Sequence, residues 1–384
     1  MRFEFATAGR IIFGAGALAE IPAFVRDLGR RPLVVTGRDP RRAERLLALL
    51  ASAGVAPHIF AVAQEPSIDD VNRGTAEGRS AECDCVIGFG GGSALDAGKA
   101  IAALLTNGGE LLDYLEVVGR AQPLPRPAAP YLAIPTTAGT GSEVTRNAVL
   151  GSPAHRVKVS LRSPHLLPRV ALVDPDLTHA LPPALTAATG LDALTQLIEP
   201  YVSPRANPFT DALATDGIRR VARSLQRAVD EPQHAAARED MALGSMFGGL
   251  ALANAGLGAV HGFANPLGGM FPAPHGAVCG ALLPPVMEIN LRALRARDGS
   301  GETVRRYDEV ARLLTGRPQA QADDGVRWVR ALVIAAKVPA LGTYGFTRAD
   351  LPAVCDAAAK ASSMKANPVL LTRGELEEIL ERAT

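Results

Sequence analysis

The sequence predicts an α/β domain followed by an all-α domain. Two observations carry that prediction. Through the first 180 residues, short apolar runs alternate with helical segments of about 10–15 residues, the pattern of βαβ units and a mostly parallel sheet. From about Pro182 onward Ala, Leu and Arg dominate and strand signals fade. The composition changes across Thr178–Pro183, which sets the expected domains at 1–180 and 181–384. A cleft between two such domains is a common location for a small-molecule site.

In chain order, Arg31–Thr36 is an apolar, β-branched strand ended by Gly37. Arg41–Ala53 reads as a helix with Leu46, Leu47, Leu49 and Leu50 on its apolar face and Gly54 as its stop. Pro57–Val62 is a second strand. Ser67 is an N-cap for a helix from Ile68 to about Ala81, because Asp69 and Asp70 suit the positive end of the helix dipole. Cys85–Phe89 is a buried strand running into Gly90-Gly91-Gly92, and Ser93–Leu105 is the helix after it. Tyr131–Ile134 and Val170–Val173 complete the strands. In the second half, residues 206–229, 233–255, 302–315, 321–337 and 348–361 read as amphipathic helices, and Gly190–Ser203 reads as a helix start.

Composition narrows the function. With 47% hydrophobic residues and a net charge of +1 from 40 basic and 39 acidic side chains, the chain is neither disordered nor charged for nucleic-acid binding. Four cysteines in 384 residues make no disulfide scaffold and fit reduced thiols in a cytoplasmic setting. No window approaches the roughly 20 apolar residues of a membrane span, and the N-terminus lacks a signal-peptide core.

Two loops have the chemistry of a nucleotide site. Gly90-Gly91-Gly92-Ser93 joins a strand to a helix, where glycines admit a pyrophosphate and the helix start offers N–H groups; a tight turn is the alternative. Asp96 and Lys99 extend it to GGGSxxDxxK. The phrase Pro135–Glu143 (PTTAGTGSE) also follows a strand and brings hydroxyls within reach of phosphate or ribose. Three metal-capable positions stand out: Asp192, His261 and His275. The 14-residue gap between the histidines has no fixed meaning, so a hydrogen-bonded structural role is open for each. Cys83 and Cys85 form a CxC with no second thiol pair. Cys279 and Cys355 read as small core residues.

Taken together, Gly90–Lys99, Ile134–Val144, Asp174–Leu181 (DPDLTHAL), Gly190–Ser203 and His261–Gly276 resemble the iron-containing (group III) alcohol dehydrogenase family, with likeness from Phe13-Gly14 to about Asn290. The resemblance implies a Rossmann-like dinucleotide-binding domain and a helical domain, the dehydroquinate synthase-like arrangement. It implies hydride transfer between NAD(P) and a small alcohol/aldehyde pair, with iron or zinc polarising the oxygen. By position it assigns Gly91, Gly92 and Ser93 to the pyrophosphate and Thr136, Thr137 and Thr140 to the nicotinamide side. Ser142, Asn147 and Val149 fall nearby, Lys158 at the ribose, and Leu177 and Leu181 beside the dinucleotide. The metal set it implies is Asp192, His261, His275 and, where the family has a histidine, Gln196.

Gln196 is a neutral oxygen donor and a weaker partner than imidazole for iron or zinc. Asn265, four residues after His261, stands where many members place a histidine; it hydrogen-bonds but does not titrate near pH 7. Both departures point to a retuned site. NADP, with NAD tolerated, follows from Gly37, where NAD-preferring members carry a carboxylate, and from Arg41 and Arg42 beyond it; Asp39 would weigh against this if it pointed inward. Arg146 and Arg162 are candidates for orienting an anionic substrate. The alternatives are a dehydroquinate synthase-like lyase and a nucleotide-binding member without alcohol chemistry. A homodimer or larger homo-oligomer is expected, with Arg2–Phe5 and Ile11–Phe13 as an edge for pairing.

Overall fold

A computed structural model of the protein describes residues 2–384, and it divides them into two units. One comprises Thr7–Thr137 and Gly141–Thr178; the other comprises His179–Thr384 with Ala138–Thr140 and the N-terminal arm through Ala6.

The first unit runs β1 (Ile11–Phe13), α1 (Ile21–Leu28), β2 (Pro32–Thr36), α2 (Glu44–Ser52), β3 (His58–Ala61), α3 (Ile68–Ser80), β4 (Cys85–Gly90), α4 (Gly92–Thr106), α5 (Leu111–Tyr114), β5 (Tyr131–Pro135), β6 (Asn147–Ser152), β7 (Val157–Arg162) and β8 (Val170–Val173). Among the described residues the main sheet has six parallel strands in the order β1-β8-β5-β4-β2-β3. Every residue of β2, β4, β5 and β8 is buried. Helices cover both faces of such sheets, so these strands are continuous apolar runs rather than alternating ones. Ser67 caps α3 in a reciprocal capping box with Asp70, as its sequence position predicts. The helix expected from Arg41 instead begins at Glu44. Pro40–Ala43 forms a 3-10 turn capped by the Asp39 side chain, which accepts from the Arg41 N–H at 3.2 Å. At the end of β8, the Asp174 carboxylate accepts from the N–H groups of Gly16, Leu18 and Asp176, so the DPDL phrase ties β8 to the turn after β1.

The sequence reading missed β6 and β7. They form an antiparallel hairpin, with Arg156 in the left-handed region at its turn. Ala148, Leu150, Val159 and Leu161 alternate inward, a period-2 pattern too short to stand out from its loop. Ile11–Phe13 is the edge strand β1, whereas Arg2–Phe5 is not a strand; Phe3 and Phe5 pack on the Phe209 ring, with centroids 5.5 Å apart in each pair.

The second unit contains α6 (Pro183–Val202), α7 (Pro208–Asp230), α8 (Ala235–Ala255), α9 (Ala259–Met270), α10 (His275–Arg297), α11 (Glu302–Thr315), α12 (Ala322–Ala335), α13 (Leu351–Lys360) and α14 (Arg373–Arg382). Its core draws Leu191, Leu194, Leu197 and Ile198 from α6 alone, each side chain adding about 1.5–3 kcal/mol of burial. α6 starts seven residues before Gly190, which sits inside the helix because any side chain there would strike Leu225 of α7. α9 and α10 were not expected as helices: Pro266, Pro284 and Pro285 lie within them, and proline usually breaks a helix interior. α10 has the length and apolar character of a membrane span, but most of it is buried in this core.

Candidate metal and nucleotide sites

The nucleotide-type residues collect at the carboxyl ends of the parallel strands. The register sets Thr36 beside Phe89 and Gly90 beside Pro135, which brings Gly37, Gly90–Ser93, Thr136 and Thr137 to one end of the sheet. The Thr136 N–H donates to the Gly90 carbonyl at 2.9 Å, locking the two loops together. Gly91 is the N-cap of α4, so Gly92 and Ser93 supply the first N–H groups of a fifteen-residue helix. Ligands of open parallel sheets bind at this end. A side chain at Gly37 would enter open space. Asp39 pairs with Arg41, its Oδ1 lying 2.8 Å from Nε, and Arg38 donates to the Ala63 carbonyl at 3.1 Å.

Asp96, expected among the cofactor contacts, has both oxygens engaged within the protein. Ser142 Oγ donates to Oδ1 at 2.5 Å, Val149 N–H donates to Oδ2 at 3.0 Å, and Lys99 Nζ lies 3.4 Å away. Lys99, fully buried, also donates to Thr145 Oγ1 and the Asn147 carbonyl. The GGGSxxDxxK phrase thus pins α4 to β6. Burial and Lys99 act oppositely on neighbouring Glu143: burial pushes its carboxyl up and Lys99 pulls it down, leaving it at about 7. Lys158 Nζ meets Glu65 Oε1 at 2.6 Å, and Arg162 pairs with Glu116. Leu177 packs on the sheet's core, and Leu181 is buried in the helical unit. Thr140 belongs to the helical unit.

The metal-type residues converge in the helical unit. Asp192 of α6, His261 of α9, and His275 and Cys279 of α10 hold ligand atoms all within 4.8 Å of one another. Asp192 Oδ1 lies 3.4 Å from His261 Nε2 and 3.8 Å from His275 Nε2. Cys279 Sγ lies 4.0 Å from His261 Nε2 and 3.7 Å from His275 Nε2. Asp192 and Gln196 sit one turn apart on α6, as do His275 and Cys279 on α10. Close helix contact makes this possible: a Cβ on Gly276 would lie 2.3 Å from the Ala188 carbonyl oxygen of α6, so only glycine lets α10 approach.

Sequence reasoning missed two residues here. Glu199, two turns after Asp192 on α6, accepts from the Val260 N–H and holds His261 Nδ1, each at 2.7 Å. That contact aims Nε2 at the cluster, the carboxylate–histidine arrangement usual behind a metal ligand; the i, i+7 spacing on one helix was its only signal. Cys279 is a core residue, as expected, but its sulfur is also part of the cluster. Burial disfavours charge on His261, but Cys279, Glu199 and Asp192 outweigh it and raise its pKa well above the histidine range. Burial likewise pushes the Asp192 carboxyl up, while His275, His261 and Gln196 outweigh it and hold it low. Asn265 is half-buried one turn after His261.

A cation fits this donor set. Asp192 Oδ1, inside the cluster, is a buried oxygen that accepts no hydrogen bond, a costly state that a cation would relieve.

Residues 8–175 match the iron-containing alcohol dehydrogenase family, and residues 186–384 match the C-terminal part of the Fe-containing alcohol dehydrogenase family. Alcohol dehydrogenase 4 of Schizosaccharomyces pombe is 36% identical over 378 residues, 97% of this chain and 87% of the relative. The crystal structure of a 1,3-propanediol oxidoreductase superposes with a TM-score of 0.92 at 34% identity, over 100% of both chains. A sulfoacetaldehyde reductase from Bifidobacterium kashiwanohense, solved in complex with NAD+, superposes with a TM-score of 0.86 at 29% identity, over 99% of this chain and 98% of that one.

Proposed function

We propose a function from one premise: the chain belongs to the iron-containing alcohol dehydrogenase family and is an oxidoreductase acting on alcohols. It interconverts a small alcohol and its aldehyde or ketone, using a nicotinamide dinucleotide and a divalent metal of the iron or zinc type. The carrying observation is Asp192 Oδ1, a buried oxygen that accepts no hydrogen bond, set beside two imidazoles and a thiol.

In this reading Asp192, Gln196, His261 and His275 hold the metal. When bound, the metal supplies Lewis acidity that polarises the carbonyl oxygen. Glu199 keeps His261 in the tautomer that presents Nε2. Asn265 hydrogen-bonds the substrate oxygen through its amide; it has no titratable proton to pass on, so proton exchange falls to solvent. Gly91, Gly92 and Ser93 bind the pyrophosphate through α4's first N–H groups. Thr136, Thr137 and Thr140 line the nicotinamide, Lys158 serves its ribose, and Leu177 and Leu181 flank the dinucleotide. A bound nicotinamide dinucleotide would supply the hydride.

NADP is accepted, with NAD tolerated. Gly37 leaves room for a 2′-phosphate and carries no carboxylate to repel it, and exposed Arg42 follows in the same turn. The edge strand β1 offers a surface for a homo-oligomer. Four free thiols suit the cytoplasm.

The test follows nicotinamide absorbance with short aldehydes, using NADH and NADPH in turn, before and after EDTA. The reading expects net oxidation of the coenzyme that EDTA stops. No net change with any aldehyde overturns it, because a lyase that recycles its nucleotide, or a non-catalytic binder, gives that result.

A further inference from the structure

We infer that Cys279 is a metal ligand in this chain, its thiolate supplying the fourth strong donor that Gln196 does not, and that the site therefore favours zinc over ferrous iron. The inference rests on the metal-dependent reading above. Its ground is the geometry of α6, α9 and α10. Metal–nitrogen and metal–oxygen bonds of about 2.0–2.1 Å, with a metal–sulfur bond of about 2.3 Å, put tetrahedral ligand atoms roughly 3.3–3.7 Å apart. Four edges of the cluster measure 3.4 Å (Asp192–His261), 3.8 Å (Asp192–His275), 3.7 Å (Cys279–His275) and 4.0 Å (Cys279–His261). Small side-chain adjustments close that difference.

A lone buried thiol would carry no such claim. Here it shares the cluster with Asp192 Oδ1, a buried oxygen that accepts no hydrogen bond and calls for a cation at the same place. Cys279 is fully buried and one turn after His275, so its sulfur approaches the cluster on a rigid helix rather than a loop. The donor chemistry then differs from an oxygen-and-imidazole set. A thiolate is a soft ligand that zinc takes readily, whereas the Gln196 carbonyl is neutral and hard. Binding converts the thiol into a sulfur–metal bond and releases one proton to solvent, with no change of oxidation state.

The test replaces the native metal with cobalt(II) in the full-length enzyme and records its absorption spectrum. Visible cobalt bands report that the site is filled; a near-ultraviolet sulfur-to-cobalt band reports a thiolate ligand. The expected result is both bands in the wild type and loss of only the near-ultraviolet band in Cys279→Ser, with Cys279→Ala as the second variant. In anaerobic competition between zinc and ferrous iron, the bound zinc-to-iron ratio falls about tenfold or more in Cys279→Ser. Visible bands without the near-ultraviolet band in the wild type, or a near-ultraviolet band unchanged in both variants, overturn the inference and leave the metal-dependent reading standing. No visible bands in the wild type overturn both.

Discussion

The strand-end loops of the α/β unit and the cluster of the helical unit are cradles made of different material. The first consists of backbone: Gly37, Gly90–Ser93 and Thr136 lie at the ends of neighbouring strands, and the register alone brings them together. The second consists of side chains: Asp192, His261, His275 and Cys279 come from three helices and meet only because those helices pack closely. A backbone cradle is specified by local sequence and absorbs many side-chain changes. A side-chain cradle fails when one donor, or one glycine contact between helices, is lost.

That contrast can be broken most readily at His261. His261→Ala is expected to strip the metal and lower kcat/KM about 10³-fold, several kcal/mol of lost stabilisation, while dinucleotide affinity by fluorescence titration stays unchanged. Retained metal by elemental analysis would erase the distinction between the two cradles. Glu199→Gln tests the support behind that ligand. Metal affinity is expected to fall about 10–100-fold, with a smaller loss of turnover that saturating metal restores.

The α/β unit responds to pH instead. Glu143 has a folded-state pKa of about 7, above its ordinary value of 4.5, so its proton is held more tightly in the folded protein. Its contribution to stability is complete below about 4.5 and is lost as pH rises toward 7, beyond which a charged carboxylate stays buried against Lys99. Glu143→Gln is expected to be more stable to unfolding than the wild type at pH 8, and this advantage in unfolding free energy should shrink by about 2–3 kcal/mol at pH 5. An advantage that does not vary with pH would contradict the assignment. The smallest expected effect is at Gly37. Gly37→Asp should lower catalytic efficiency with NADPH about tenfold while sparing NADH, and leave metal content unchanged.

The two regions also differ in how much of them can be read from sequence. The strand-to-helix phrases announce themselves because an apolar β-branched run, a glycine turn and a capped helix are all local, as at Ser67 and Gly90–Ser93. The cluster does not. Asp192, His261 and His275 were singled out by residue type and by resemblance to a family, since no spacing linked them. α9 and α10 were hidden because they are apolar nearly all round and carry internal prolines, which removes both the amphipathic period and the usual stop signals. Glu199 was visible only as a member of a helix face and Cys279 only as a small core residue, and both gain meaning once the partner helices are known. Asp96 is a residue of a nucleotide phrase whose carboxylate ties that phrase to Ser142, Val149 and Lys99, contacts that its local sequence does not announce.

The central claim is that the helical cluster holds a functional divalent metal although Gln196 stands in place of a histidine. Its most direct test is the metal content of the purified protein, measured before and after chelation and metal re-addition, alongside aldehyde reduction by the same samples. The account predicts close to one zinc or iron ion per chain, turnover lost with the ion and turnover regained on its return. A metal-free protein that reduces aldehyde at an undiminished rate would contradict it.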